Sequence, residues 1–122
     1  MKKQFLFGSM LFISSIVSLT SCYKKNLQDF YPACDTSNVT YNGTIKQIMS
    51  SSCTTSDCHN AASQAGGYDL STYSNLLPIA QGGTLLTCIT RNSPPPMPKG
   101  NTPLDACTIA KIRVWVNASC PQ

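Results

Sequence analysis

The sequence predicts a small all-α domain of three to four short helices that is stapled by disulfides. Apolar residues recur at helical spacing in several short segments, and no segment alternates in the way that a half-buried strand does. Cysteine is also frequent, with seven among 122 residues. Glycine and proline clusters separate the apolar segments, so we expect one domain with a modest core.

The first helix is predicted just before a pair of cysteines and the only histidine of the chain. It should begin at Asn42 or Gly43 and run toward Cys53, because its apolar residues fall on one face at positions i, i+3 and i+4. These residues are Ile45, Ile48 and Met49. The small residues and glycines at positions 61 to 69 then predict a loop.

Two further short helices are predicted between residues 71 and 90. Ser71 is the expected N-cap of the first, and Pro78 should end or bend that helix because proline lacks the backbone donor. Residues 84 to 90 are predicted to form the second helix, although the β-branched residues in this run also permit a strand.

The last helix follows a proline-rich loop at residues 92 to 103. Five prolines in this loop remove backbone donors and fix backbone angles, so it cannot form regular structure. Thr102 then supplies an N-cap, Pro103 the first helical position and Asp105 an acid in the first turn. We expect the helix to run to about Asn117.

The N-terminal residues indicate export. Residues 1 to 3 include two lysines, and residues 5 to 19 form an apolar run. This run is shorter than the about 20 residues that a spanning helix needs. Its length and its basic start are typical of a secretion signal.

The next four residues, LTSC at positions 19 to 22, resemble the lipobox of bacterial lipoproteins. The resemblance implies that residues 1 to 21 are a signal peptide that is removed, and that Cys22 becomes the N-terminus and carries lipid. Residues 22 to 33 would then tether a domain at residues 34 to 122 to a membrane. The alternative is an ordinary signal peptide that leaves Cys22 as an odd thiol.

Composition excludes several functions for the 101 residues after the signal. Seven Lys and Arg face five acids, and this net charge of +2 predicts neither nucleic-acid binding nor a strong surface field. All five acids are aspartates scattered along the chain, so no pair suits carboxylate chemistry. Six cysteines remain once Cys22 is set aside, an even count that is typical of a covalent framework.

The stretch SSCTTSDCHN at residues 51 to 60 contains Cys53, Cys58 and His59. A Cys-x-x-Cys-His run is typical of covalent haem attachment, but four residues separate the cysteines here. A continuous helix would place the two side chains about 140° apart around its axis. Two thioethers to one haem therefore require the helix to break or bulge within the four intervening residues.

Four interpretations of this stretch are open. Cys53 and Cys58 form thioethers to haem while His59 binds the iron, or the two cysteines pair in a small disulfide loop beside a histidine. Such a short loop gains little from closure entropy. Zinc would need four ligands, and thiol–disulfide exchange usually needs a depressed thiol pKa.

Met97 is the expected second axial ligand if haem is bound. Two histidine ligands within one molecule are impossible because the chain has one histidine. Met1 and Met10 leave with the signal, and Met49 lies in the helix just before Cys53. Met97 remains, between prolines that lower the entropy lost when its sulfur is held on iron, and methionine in this role raises the reduction potential. The alternative is a methionine that fills a core gap.

Four segments resemble, in order, parts of the small class-I c-type cytochromes, specifically the short cytochrome c-like domains of exported lipoproteins. They span residues 34 to 118 and read CDTSNVTYNGTIKQIMSSSC leading into Cys58 and His59, then GGYDLSTY, PPMPKG and LDACTIAKIRVWVNA. The resemblance implies a cytochrome c-like fold around one covalent haem c, with His59 and Met97 on the iron. It also implies that the last helix packs across the first.

The same resemblance bears on the remaining cysteines. The family fold brings the segment before the first helix near the start of the last one, which favours a Cys34–Cys107 disulfide. We expect Cys88 to pair with Cys120, which would tie the entrance of the Met97 loop to the chain end. Each bond would contribute roughly 4 kcal/mol in the chain-entropy model.

The expected function is that of a one-electron carrier at the cell envelope, anchored to a membrane by lipid and facing the periplasm or the cell surface. It would exchange electrons with partner redox proteins and would not be an enzyme, because His59 and Met97 leave no open position on the iron. The alternative is a haem-free, disulfide-stapled envelope lipoprotein that acts as a binding or structural module.

Overall fold

The computed structural model describes residues 34–92, 94–100 and 103–122. Over these ranges the chain forms four α-helices and no strand, which confirms the all-α prediction. A π-helical turn, Tyr41–Ile45, runs directly into α1, Lys46–Ser52, and the others are α2, Tyr73–Gln81, α3, Thr84–Ile89, and α4, Ala106–Asn117. A short 3-10 helix spans Ala65–Gly67.

The expected signal peptide, the lipidated Cys22 and the tether up to residue 33 lie outside the described residues, as does Thr102. Within the part of the chain that the structure describes, no helix is both long enough and apolar enough to cross a membrane.

The first helical segment begins slightly earlier than predicted. The Thr40 hydroxyl accepts a hydrogen bond from the Gly43 N–H at 3.1 Å, so the capping residue precedes Tyr41. The segment then continues to Ser52 and buries the face that carries Tyr41, Ile45 and Met49. A side-chain oxygen at this place satisfies an N–H that has no partner within the helix.

Helix α2 differs from its prediction at both ends. Thr72, and not Ser71, is the N-cap, and its hydroxyl accepts from the Asn75 N–H at 3.3 Å. The Ser71 N–H donates instead to the Asp69 carboxylate at 2.9 Å. Pro78 was expected to end or bend the helix, but it lies inside the helix, which continues to Gln81, and its side chain is exposed.

Helix α3 resolves the choice between helix and strand in favour of the helix. The hydroxyls of Thr87 and Thr90 donate to the carbonyls of Gly83 and Leu86, at 2.8 and 2.7 Å. This bonding to the carbonyl four residues earlier satisfies both β-branched side chains within the helix.

Helix α4 begins three residues later than predicted and ends at Asn117 as predicted. Asp105 is the N-cap, and its carboxylate accepts from the Thr108 N–H at 2.9 Å. Pro103 therefore lies before the helix and not in its first position, because the Asp105 side chain provides the cap at a later point in the chain.

The helices enclose one core. Helix α4 packs against the Tyr41–Ile45 turn and against α3, while α3 also packs against α2. The largest completely buried side chains belong to Trp115, Ile45, Leu76 and Ile112. Burial of one such aliphatic side chain contributes about 1.5–3 kcal/mol. The last helix thus packs on the start of the first, as the resemblance implies.

One of the two expected disulfides is present. Cys34 and Cys107 are bonded, with an S–S distance of 2.01 Å and a Cα–Cα distance of 5.5 Å. The predicted Cys88–Cys120 bond is wrong, since both are free thiols. Cys120 is completely buried in the core, where its carbonyl accepts from the Tyr73 hydroxyl at 2.8 Å, whereas Cys88 lines a cavity of which Cys120 is not part.

Candidate functional site

A cavity of about 580 Å³ lies between the loop after α1, helix α3 and the proline-rich loop. Cys53, Cys58, His59 and Met97 all line it. The structure therefore brings together the four side chains that the sequence predicts for haem, although Met97 is remote from the other three along the chain.

Most of the other walls are apolar. Leu70, Ile79, Leu85, Ile89 and Leu104 line the cavity together with three prolines of the Met97 loop. Cavities of about 300–1,000 Å³ with apolar walls and a few placed polar groups are typical of cofactor and small-molecule sites. The cavity thus has the size and lining that a flat, largely apolar cofactor needs.

The loop between the two cysteines shows how the longer spacing is accommodated. Helix α1 ends at Ser52, and the His59 N–H donates to the Cys53 carbonyl at 3.0 Å, which closes the loop. Inside it the Cys58 N–H donates to the Thr55 carbonyl at 3.1 Å, and Asp57 has a φ of 61°. The predicted break in the helix is therefore present, and a tight turn takes up the additional residues.

Asn60 holds this turn in place, a role that the sequence did not reveal. Its amide nitrogen donates to the Thr55 carbonyl at 2.8 Å. Its amide oxygen accepts from the N–H groups of Ala62 and Ser63, both at 2.9 Å. Asparagine commonly makes such bonds in turns, so its place directly after the motif was the available signal.

Cys53 and Cys58 are free thiols and do not pair with each other in the structure. The Thr55 hydroxyl donates to the Cys58 sulfur at 3.3 Å. Burial, together with the nearby Cys58, raises the pKa of the Cys53 thiol to about 11. A raised thiol pKa is the opposite of what thiol–disulfide exchange requires.

His59 forms part of the cavity wall, and one nitrogen of its ring makes no hydrogen bond to the described residues. Its Nδ1 is buried and has no hydrogen-bond partner among the described residues. Its ring contacts Tyr68 edge to face, with centroids 6.4 Å apart and planes at 65°. A buried nitrogen without a partner costs about 1–3 kcal/mol, so this imidazole differs from a histidine whose hydrogen bonds are satisfied within the core.

Met97 is held at the cavity through the backbone. Its N–H donates to the Cys88 carbonyl, the N–O distance being 3.1 Å, so the proline-rich loop is attached to α3. The Arg91 guanidinium donates to the Pro98 carbonyl at 3.4 Å. Met97 is half-buried and faces the cavity rather than the core cluster, which argues against a gap-filling role.

Two cavity residues were not predicted as part of the site. Cys88 was expected in a disulfide. It lies one helical turn after the buried Leu85, which also lines the cavity. This spacing places the two residues on the same side of α3 and was the available signal. Tyr68, from the segment GGYDLSTY, lines the cavity beside His59. Nothing in the spacing of Tyr68 and His59 along the chain signals their contact.

The donor set fits a haem c. Two thiols, an imidazole and a thioether sulfur border one apolar space, and these are the groups with which proteins hold such a haem. Among the described residues no three His, Cys or Asp side chains are arranged to hold a metal ion by themselves. Haem iron needs no such cluster, since the porphyrin supplies four of its ligands.

No protein-family model, curated protein or solved structure matches this chain. Function is therefore inferred from the chemistry and geometry of the site.

Proposed function

We propose that the protein is a monohaem c-type cytochrome that carries single electrons at the cell envelope. The observation that supports this most strongly is the convergence of Cys53, Cys58, His59 and Met97 on one apolar cavity. A small disulfide loop beside a histidine would not require a methionine from a distant loop to face the same space.

Each of the four residues has a distinct role in this proposal. Haem supplies an iron atom that gains or loses one electron without transfer of any other atom. Cys53 and Cys58 would hold the cofactor through thioethers, while His59 and Met97 would be the protein's ligands to the iron and would leave no position for a substrate. The residues therefore serve electron transfer and not the conversion of a substrate.

The cavity walls set the environment of the iron. Leu70, Ile89 and Leu104 line the cavity and would limit the access of water to a bound haem, and a site with little water disfavours the more highly charged oxidised form. Together with a methionine ligand, this favours a raised reduction potential. The protein thus suits partners that deliver electrons at a raised potential.

The envelope location rests on two features. The segment at residues 19 to 22 resembles a lipobox, so Cys22 would hold the protein on a membrane through lipid. The Cys34–Cys107 disulfide is typical of an exported protein in an oxidising compartment. The partners would be redox proteins of the periplasm or cell surface, and the small net charge gives no reason to expect nucleic acid.

The haem-free alternative is less well supported. A disulfide-stapled module would use its six cysteines in three disulfides, but the described residues, which include all six, form one. Four thiols remain, and three of them, Cys53, Cys58 and Cys88, line the same cavity.

The test is whether haem stays on the denatured polypeptide. The full chain is expressed with cytochrome maturation machinery, denatured, and separated by electrophoresis with detection of haem. We expect covalent haem in the natural protein and in Cys88→Ser, and none in the double variant Cys53→Ala/Cys58→Ala. A colourless natural protein would overturn the proposal.

A further inference from the structure

The His59 imidazole lacks the contact that ordinarily orients a metal-binding histidine. Such a histidine almost always donates its second ring N–H to a carboxylate, a carbonyl or a water, and this bond fixes the ring. Here Nδ1 is buried and has no hydrogen-bond partner among the described residues. The orientation of the ring must therefore be fixed in another way.

Tyr68 is in contact with this ring. Its centroid lies 6.4 Å from that of His59, and the planes meet at 65°, the edge-to-face arrangement that aromatic rings favour. Tyr68 also lines the cavity, although 44% of its surface is exposed. The ring therefore packs against the imidazole at the rim of the cavity.

The backbone holds the two residues next to each other. The Leu70 N–H donates to the His59 carbonyl at 2.8 Å, so the segment around Leu70 is bonded to the histidine itself. Before Tyr68 the chain turns through Gly66 and Gly67, whose φ values are 65° and 81°. Residues with a side chain rarely adopt such values, so the two glycines allow the turn that places Tyr68 next to His59.

We propose that Tyr68 is the positioning residue of the His59 ligand and replaces, by ring packing, the usual Nδ1 hydrogen bond. This inference rests on the proposed haem function. Packing restricts rotation of the imidazole but offers no acceptor to its N–H, so the ring remains a weaker donor to iron than a hydrogen-bonded one. Nδ1 itself is buried, and the Tyr68 ring lies against the imidazole that carries it.

The expected effect follows from removal of the ring. In Tyr68→Ala, water reaches Nδ1 and accepts its hydrogen bond, which makes the imidazole a stronger donor and stabilises the oxidised iron. We expect a shift to lower reduction potential, together with a changed electron paramagnetic resonance spectrum of the oxidised protein because the imidazole plane is no longer fixed. Tyr68→Phe keeps the ring and should match the natural protein in both.

Leu104→Ala is the matched control. Leu104 lines the same cavity, so this variant admits water without removal of the contact to His59. Its potential should also fall, but the spectral features that report the orientation of the imidazole should stay as in the natural protein. The spectrum thus separates positioning from general hydration of the cavity.

Covalent haem content is measured first in every variant, and this separates the two hypotheses. Natural protein without haem would overturn the proposed function and this inference with it. With haem present in all, an unchanged potential and spectrum in Tyr68→Ala would overturn the role of Tyr68 alone. The same holds if Tyr68→Phe differs from the natural protein as much as Tyr68→Ala does.

Discussion

The indole N–H of Trp115 donates a hydrogen bond to the carbonyl oxygen of Pro121 at 2.9 Å. The Tyr41 N–H donates to the same oxygen at 2.9 Å, and the Tyr73 hydroxyl donates to the Cys120 carbonyl. Three donors from separate parts of the fold thus hold the chain end. They stabilise a backbone in which Cys120 has a φ of 59°, a conformation that costs about 1–2 kcal/mol for a residue with a side chain.

Trp115→Phe should therefore lower the free energy of unfolding by about 2 kcal/mol, because it removes a hydrogen bond and leaves a small void. Tyr73→Phe removes only a hydroxyl and should cost about 1 kcal/mol. Urea unfolding followed by circular dichroism measures both. Losses below about 0.5 kcal/mol in the two variants would show that these bonds do not stabilise the chain end.

Removal of the Asp105 cap should destabilise α4. The Thr108 hydroxyl and the Thr108 backbone N–H hold the pKa of Asp105 below its usual range. A carboxyl with a lowered pKa in the folded state adds stability above its unfolded pKa of about 3.9 and loses it as the pH falls through the folded value. Asp105→Ala should cost about 1 kcal/mol at pH 7.

Asp105→Asn is the control for the charge, since asparagine also caps helices. Its stability should decline less steeply between about pH 5 and pH 2 than that of the natural protein. Urea unfolding at a series of pH values checks this. Equal acid sensitivity in the two proteins would contradict the assignment to Asp105.

Loss of the Cys34–Cys107 disulfide should cost about 4 kcal/mol, because the bond closes a long loop of the unfolded chain. The double variant Cys34→Ser/Cys107→Ser tests this by urea unfolding, with Cys88→Ser as the control at a free thiol. Thiol titration gives a second check. Denatured, haem-loaded protein with lipid on Cys22 should have two thiols without reductant, from Cys88 and Cys120, and fewer than two would contradict the structure.

Cys53 should react slowly in the haem-free protein. Its thiol pKa is raised to about 11, so at pH 8 its thiolate fraction is about 200-fold below that of free cysteine. Alkylation followed by mass spectrometry of the peptides measures the rate. The rate should rise steadily toward pH 11, and rapid alkylation at pH 8 would contradict the buried position.

Met97→Ala should keep covalent haem and lower the reduction potential, because a methionine ligand raises that potential. The control is Met49→Leu, at a methionine that is 2% exposed in the core. That variant should leave the potential unchanged. A visible spectrum and a potential in Met97→Ala equal to those of the natural protein would show that Met97 is not a ligand.

The sequence was sufficient for three of the four helices because their apolar residues recur at helical spacing, whereas residues 84 to 90 also permitted a strand. It was less informative about where they begin. Both Thr102 and Asp105 are good caps, and the bond from Thr108 to Asp105 that selects the later start is seen only in the structure. Pro78 is a helix-ending signal that an exposed site tolerates.

The meeting of Cys53, Cys58 and His59 with Met97 at one cavity was also predictable, since a single histidine and a single placeable methionine leave few choices. The Cys34–Cys107 disulfide was predicted correctly, but the free thiols of Cys88 and Cys120 were not. Cys120 is placed in the core by bonds from Tyr73 and Trp115 to the chain end, and these tertiary contacts leave no periodic signal. The contact of Tyr68 with His59 depends likewise on a turn through two glycines.

The disulfide between Cys34 and Cys107 would also have a mechanical consequence for a protein with the proposed lipid anchor. A pull on the chain ahead of Cys34 is shared with Cys107, in the first turn of α4, and passes from there into the core around Trp115. This path of the force includes neither the loop that contains His59 nor the loop that contains Met97. With the proposed lipid on Cys22, tension on the chain ahead of Cys34 would therefore not pass through the segment between His59 and Met97.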